Sequence, residues 1–136
     1  MNKTTNIKKL KTLLQPVWDS GKFRLLILFG SVGSGRGTSD SDLDLAYLSD
    51  QPVDDIALTA DIIRYTHWNN VDVVNLHRAD PVLTMQIASK GKVLFALPSQ
   101  FAEFCSLAFR KFVDTKKLRD AARRRLDQFE ESYESS

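Results

Sequence analysis

Cysteine is almost missing from this 136-residue chain: Cys105 stands alone, so no disulfide can form within it. That excludes the small, disulfide-stapled secreted domains and fits a reducing compartment, so the cytoplasm is expected. The start, Met1-Asn2-Lys3, lacks the apolar stretch of a secretory signal. No apolar run approaches the ~20 residues of a membrane helix, so no membrane partner is expected. Histidine is scarce as well. His67 and His77 have no His or Cys at metal-ligand spacing, and both read as structural or surface residues. An excess of one charge is also missing: 19 Lys and Arg face 17 Asp and Glu, a net charge of +2 that does not call for nucleic acid as a direct partner. No Gly-Lys-Ser/Thr follows the glycines, so there is no Walker loop, and the glycines do not fit the dinucleotide pattern. No internal repeat is visible. The length suffices for one domain with a core, since a chain of this size buries roughly 68–70% of its unfolded surface.

What is present is concentrated in one short stretch. Phe29-Gly30-Ser31 is followed, after the ten residues Val32 to Ser41, by Asp42-Leu43-Asp44-Leu45. The run from Leu43 to Leu48 alternates and favours a strand. Asp42 and Asp44 then point to one face, and Leu43, Leu45 and Tyr47 to the other, toward a core. Two carboxylates about 4 Å apart repel by about 4 kcal/mol at an effective dielectric of 20. A proton or a cation must relieve them. Oxygen-only ligands suit a hard ion, Mg²⁺ with Mn²⁺ as the alternative. Asp72 interrupts the apolar run Val71 to Leu76, which follows the turn signal Asn69-Asn70. A charge on a buried strand needs a pair or a metal. If that strand lies beside the first two acids, three carboxylates can hold two ions.

Gly30 can turn the chain sharply where a strand ends. Ser31 can cap a short helix and offer its hydroxyl and amide to a phosphate. The Gly/Ser-rich segment Val32 to Ser39 contains Arg36, which can reach phosphate oxygens. Asp40 creates a second i,i+2 pair with Asp42, but the ten-residue gap favours Asp42 and Asp44. The competing structural readings are plain: solvated strand-edge acids, an ordinary turn and cap, an ion-paired Asp72 and a solvated Arg36.

Along the chain, residues 5–19 read as a helix containing Pro16, which should kink or shorten it. Strands are expected at Phe23–Phe29, Leu43–Ser49, Val71–Leu76 and Val93–Ala96. Helices are expected at Val53–Tyr65, from the Asp80 cap to Lys90, and from the Ser99 cap to about residue 131. The fold class is therefore α+β (α/β): a small mixed sheet of about four strands flanked by helices, with a long C-terminal helix. A single domain, 1–136, is expected, with its core at about 22–97. Phe101, Phe104, Cys105, Ala108, Phe109, Phe112 and Val113 read as packing residues on that last helix. The basic residues Lys116, Lys117, Arg119, Arg123, Arg124 and Arg125 alternate with Asp114, Asp120 and Asp127. They read as a solvated face, with partner docking as the second reading.

Gly30-Ser31, the ten-residue gap, Asp42-x-Asp44 and Asp72 on a later strand together resemble the polymerase β-type nucleotidyltransferase superfamily. The small size resembles its minimal nucleotidyltransferase (MNT) branch, the antitoxins of HEPN/MNT toxin–antitoxin systems. The resemblance covers roughly residues 22–97. It implies a polymerase β-like fold and a Mg-dependent enzyme. Gly30 and Ser31 would hold the triphosphate of ATP, and Asp42, Asp44 and Asp72 would be both catalytic and metal-binding. It further implies protein adenylyltransferase activity: AMP passes to a tyrosine hydroxyl of a cognate HEPN RNase toxin and neutralises it. Larger members add a domain that holds the acceptor; this chain is expected to take an acceptor docked from outside. The alternatives are a non-catalytic antitoxin that neutralises by binding, and transfer to a small molecule or RNA.

Overall fold

The computed structural model describes residues 7–33 and 41–134. In chain order the elements are α1 (Ile7–Asp19), β1 (Phe23–Phe29), α2 (Gly30–Gly33), β2 (Leu43–Ser49), α3 (Asp55–Thr66), β3 (Val71–Asn75), α4 (Pro81–Lys90), β4 (Lys92–Ala96) and α5 (Gln100–Glu134). The four strands form one mixed sheet in the order β3-β2-β1-β4. β1 runs antiparallel to both β2 and β4, whereas β2 and β3 are parallel and are joined by α3.

The alternation of β2 sets the layers. Leu43, Leu45 and Tyr47 are fully buried on one face, with Leu26 and Leu28 of β1, against Leu10, Leu14 and Val17 of α1 and Leu58 and Ile62 of α3. On the other face Leu25, Ile27 and Ala46 pack against Ile87 of α4 and Phe104 and Ala108 of α5. β1 is thus covered on both sides, which explains why its sequence is a continuous apolar run rather than an alternating one. Each such buried aliphatic side chain contributes about 1.5–3 kcal/mol.

Local signals fix the ends. α1 continues past Pro16 to Asp19; of the helix expected at 5–19, residues 5 and 6 lie outside the described residues. Asp54 caps α3 by accepting from the Ile56 and Ala57 N–H groups, so the helix begins at Asp55 rather than at Val53. Asp80 does the same for α4 from Val82 and Leu83, with Pro81 at the first helical position. Gly91 ends α4, but its φ of −68° is not left-handed. A Cβ there would lie 2.4 Å from Ile27 Cγ2, so this glycine serves close helix–strand packing. Ser99 precedes α5 in a left-handed conformation (φ 63°), and its carbonyl accepts from the Glu103 N–H.

α5 departs from expectation. Phe104 and Ala108 are buried as expected, but Phe109 and Val113 are half-exposed or more. The physical reason is that the sheet and α4 extend only under the first turns of a helix that is about 50 Å long. His67 is structural: it caps α3 in the left-handed region and donates its N–H to the Ile63 carbonyl. The ring of His77 lies 3.2 Å from the Ser49 carbonyl. Burial raises the Cys105 thiol pKa, in keeping with a packing role. No described helix is long and apolar enough to cross a membrane.

Candidate active site

At one end of the sheet, β1 runs out as β2 begins. Phe29 pairs with Asp44 across the antiparallel ladder, and Asp44 pairs with Asp72 across the parallel one. Residues paired in register share a face, so Asp44 and Asp72 stand side by side. Asp42 lies two residues earlier, exposed, just before β2. The ladder reaches toward it, since the Leu43 N–H donates to the Asn70 carbonyl at 2.8 Å.

Gly30 closes the other side. It sits at φ +74°, where L side chains are strained, and a Cβ on it would fall 2.2 Å from Asp44 Oδ2. Glycine is thus required twice over, for the turn and for the approach of the carboxylate. The chain then forms the single turn α2, anchored by Val32, which is 3% exposed in the core. Ser31 belongs to the backbone of this turn. Arg36 and Asp40 lie outside the described residues, as does the rest of the segment 34–40.

Burial raises the pKa of Asp44 above the usual carboxylate range, with the charges of Asp72 and Asp42 adding to it in that order. Asp44 therefore lies within the electrostatic reach of both other acids. Among the described residues, however, no three His, Cys, Asp or Glu side chains form a ready-made cage for an ion. The donor set is all carboxylate oxygen and carries an unrelieved negative potential, which fits a hard divalent cation.

One expectation needs correcting. Asp72 does not interrupt a buried strand: β3 is the edge of the sheet and Asp72 is exposed. Its position owes nothing to a need to neutralise a buried charge; it follows from the parallel register with Asp44. Sequence reasoning also missed Trp68. Its indole N–H donates to the Ser41 carbonyl at 2.6 Å, across 27 residues, while its ring packs partly buried against the α1/α3 core. This bond pins the chain one residue before Asp42. A tryptophan just ahead of Asn69-Asn70 carried no signal for it, because the bond depends on which strands are neighbours.

Comparison with known proteins agrees with this geometry. Residues 8–99 match the family described as Polymerase beta, Nucleotidyltransferase. The protein adenylyltransferase MntA of Shewanella oneidensis is 36% identical over 76 residues, 54% of this chain and 55% of that protein. The matched segment thus spans about half the length of that relative. Among solved structures, a toxin–antitoxin crystallised with AMP-PNP superposes with a TM-score of 0.75 at 26% identity, covering 90% of this chain and 98% of that one. The structure of a tri-AMPylated Shewanella oneidensis HEPN toxin in complex with its MNT antitoxin gives a TM-score of 0.72 at 22% identity over 89% and 98% of the chains, a likeness of fold. The acid-bearing β2/β3 pair, Gly30 against Asp44 and the match over most of the chain together mean that this protein belongs to the polymerase beta nucleotidyltransferase family.

Proposed function

We propose that this chain is an antitoxin that transfers AMP from ATP to a tyrosine hydroxyl of a partner HEPN RNase toxin, in the cytoplasm. The observation that carries the reading is Asp44, set in register with Asp72 and pressed against a glycine that leaves room only for its carboxylate. The names of the relatives support it, one an adenylyltransferase and the other a toxin–antitoxin bound to an ATP analogue.

In this reading Gly30 and Ser31 take the β- and γ-phosphates, with Arg36 as a further phosphate contact. Asp42, Asp44 and Asp72 hold the divalent ions, two Mg²⁺ or Mn²⁺. When bound, these ions neutralise the triphosphate and make pyrophosphate a better leaving group. Asp72 is exposed on the edge strand, so an acceptor delivered from outside meets it first. The tyrosine oxygen forms a bond to the α-phosphorus as the bond to pyrophosphate breaks, and the phenolic proton leaves to solvent. Alignment and charge neutralisation account for most of the catalysis.

The test is to incubate the chain with Mg-ATP and the toxin and to weigh the toxin. The expected result is a mass gain in units of AMP, lost in the Asp42→Asn/Asp44→Asn variant with folding intact. No gain with active proteins removes the proposal, and labelling by the double variant removes the assignment of the acids. Toxin neutralisation in cells that survives the double substitution selects neutralisation by binding alone instead.

A further inference from the structure

We propose that Lys90, at the end of α4, binds the β- and γ-phosphates of ATP and holds the pyrophosphate as it leaves; the inference rests on the nucleotidyltransfer reading above. Two divalent ions do not balance a triphosphate and three carboxylates together, so the site calls for fixed cations as well. Between Phe29 and Leu45 the sequence supplies one, Arg36. Any other comes from an element that reaches the same end and the same face of the sheet.

α4 meets both conditions. Lys92 pairs with Leu28 and Val93 with Ile27, so β4 starts beside the last residues of β1, the end at which Phe29 pairs with Asp44. α4 runs into that start, and its stop, Gly91, lies against Ile27. Asp44 is on the face opposite to Leu43, Leu45 and Tyr47, the face of Ala46 and Ile27 that α4 covers. At about 100° per residue, Ile87 points to the sheet, Thr84 stands about 60° to one side of it and Lys90 about 60° to the other. Thr84 is on the α5 side, with Leu107, Ala108 and Lys111. Arg24, Leu48 and His77 lie there too, at the end of the sheet away from the acids. Lys90 therefore looks the other way, toward the acid end.

Lys90 is exposed, and among the described residues it forms no ion pair. A lysine in the last turn also serves its own helix, whose final carbonyls carry partial negative charge. Those carbonyls lie near the end of β1, beside the seat of the phosphates at Gly30 and Ser31, and repel an anion there unless a cation stands between. The reach is adequate. Ile27 is three residues before Gly30, about 10 Å along a strand. The lysine stem spans about 6 Å, and the triphosphate covers the rest. As a compact charge on a flexible stem, the ammonium can follow its anion. While the tyrosine oxygen bonds to the α-phosphorus and the bond to the β-phosphate oxygen breaks, Lys90 keeps its proton and offsets the charge that gathers on pyrophosphate.

The test is calorimetric titration of the full chain, alone and with the toxin, using AMP-PNP or AMP in the presence of Mg²⁺. Lys90→Ala is expected to weaken AMP-PNP binding by about tenfold or more and to leave AMP within about twofold. Lys90→Arg should recover most of the loss. Lys92→Ala is the control. Lys92 pairs with Leu28 and so stands on the α1/α3 face, and its loss should change neither affinity. Urea unfolding of the same variants reads the service to the helix end separately. If Lys90→Ala loses stability but keeps its affinity for AMP-PNP, the lysine serves only its helix and the proposal falls. It falls equally if AMP weakens as much as AMP-PNP, or if Lys92→Ala matches Lys90→Ala. A wild type that binds AMP-PNP but leaves the toxin unmodified removes the acceptor reading, while the Lys90 comparison still decides this one. A wild type that binds no nucleotide removes both.

Discussion

Replacing Gly30 by alanine separates the two demands made on that residue, because the chain contains its own control. Gly21 has φ +77° and Gly30 has φ +74°, but an added Cβ meets nothing within 4 Å at Gly21 and meets Asp44 Oδ2 at 2.2 Å at Gly30. Both alanines incur the left-handed backbone penalty of about 1–2 kcal/mol. Only Gly30→Ala must also drive the Asp44 carboxylate back by about 1 Å to reach ordinary contact distance. That carboxylate is the end of a short side chain and can swing aside, so the extra loss of stability is small, roughly 1 kcal/mol. The effect on chemistry is larger, since a displacement of about 1 Å in a positioned group lowers rate by about 10²-fold. The assay is urea unfolding of both variants beside single-turnover pyrophosphate release with Mg-ATP and toxin. Gly21→Ala is expected to lose stability and keep its rate, while Gly30→Ala loses slightly more stability and about a hundredfold in rate. If the two variants transfer AMP at rates within a few-fold of each other, the close approach of Asp44 to Gly30 has no bearing on function.

Asp44→Asn should stabilise the chain in a chelating buffer at neutral pH by about 1 kcal/mol, allowing for solvent screening, a rise in Tm of about 3 °C. The sign follows from the raised pKa: the folded chain holds this proton more tightly than the unfolded one, so wild-type stability falls as pH climbs from the ordinary value of 3.8 through the raised one. The asparagine variant lacks that decline, and a lower Tm for it at pH 7 would contradict the account. Added Mg²⁺ should raise the wild-type Tm and leave the variant unmoved. Trp68→Phe keeps an aromatic, though smaller, side chain and loses the bond to Ser41, at about 1 kcal/mol or more in stability and about tenfold in transfer rate; full activity would remove its role in holding the chain before Asp42. Tyr47→Phe deletes the donor to the Asp55 carboxylate on the far face of the sheet. It should lower stability by about 1.5–3 kcal/mol in urea titration with the transfer rate unchanged.

The parts legible in the sequence are those that local chemistry determines. β1 and β2 have the bounds that their apolar patterns suggest, and the Asp80 cap announces the helix behind it, whereas Asp54 caps α3 from a position that reads as part of the helix in the sequence. The period of two sets Asp44 on the face away from Leu43, Leu45 and Tyr47, and Gly30 is needed where a strand must turn back against its neighbour. What was not legible depends on strand order. That Asp72 pairs with Asp44 follows from a parallel ladder formed only after the α3 crossover, and no local pattern states that register. Its exposure was misjudged because an apolar run reads alike on a central strand and on an edge. The same limit hid Trp68. In α5 the helical period of Phe101 to Val113 gives the apolar side of the helix, but not how far the body beneath it extends.

β3 lies at the rim of the sheet, with one side of its backbone unpaired by any other strand among the described residues. A bare rim invites another molecule to add a strand there, and proteins deter such zippering with a charge. Asp72 is the charged residue in the middle of Val71-Asp72-Val73-Val74, a segment otherwise well suited to aggregation. One carboxylate therefore guards solubility as well as belonging to the acid cluster, and its neutralisation should bring clumping along with any catalytic defect.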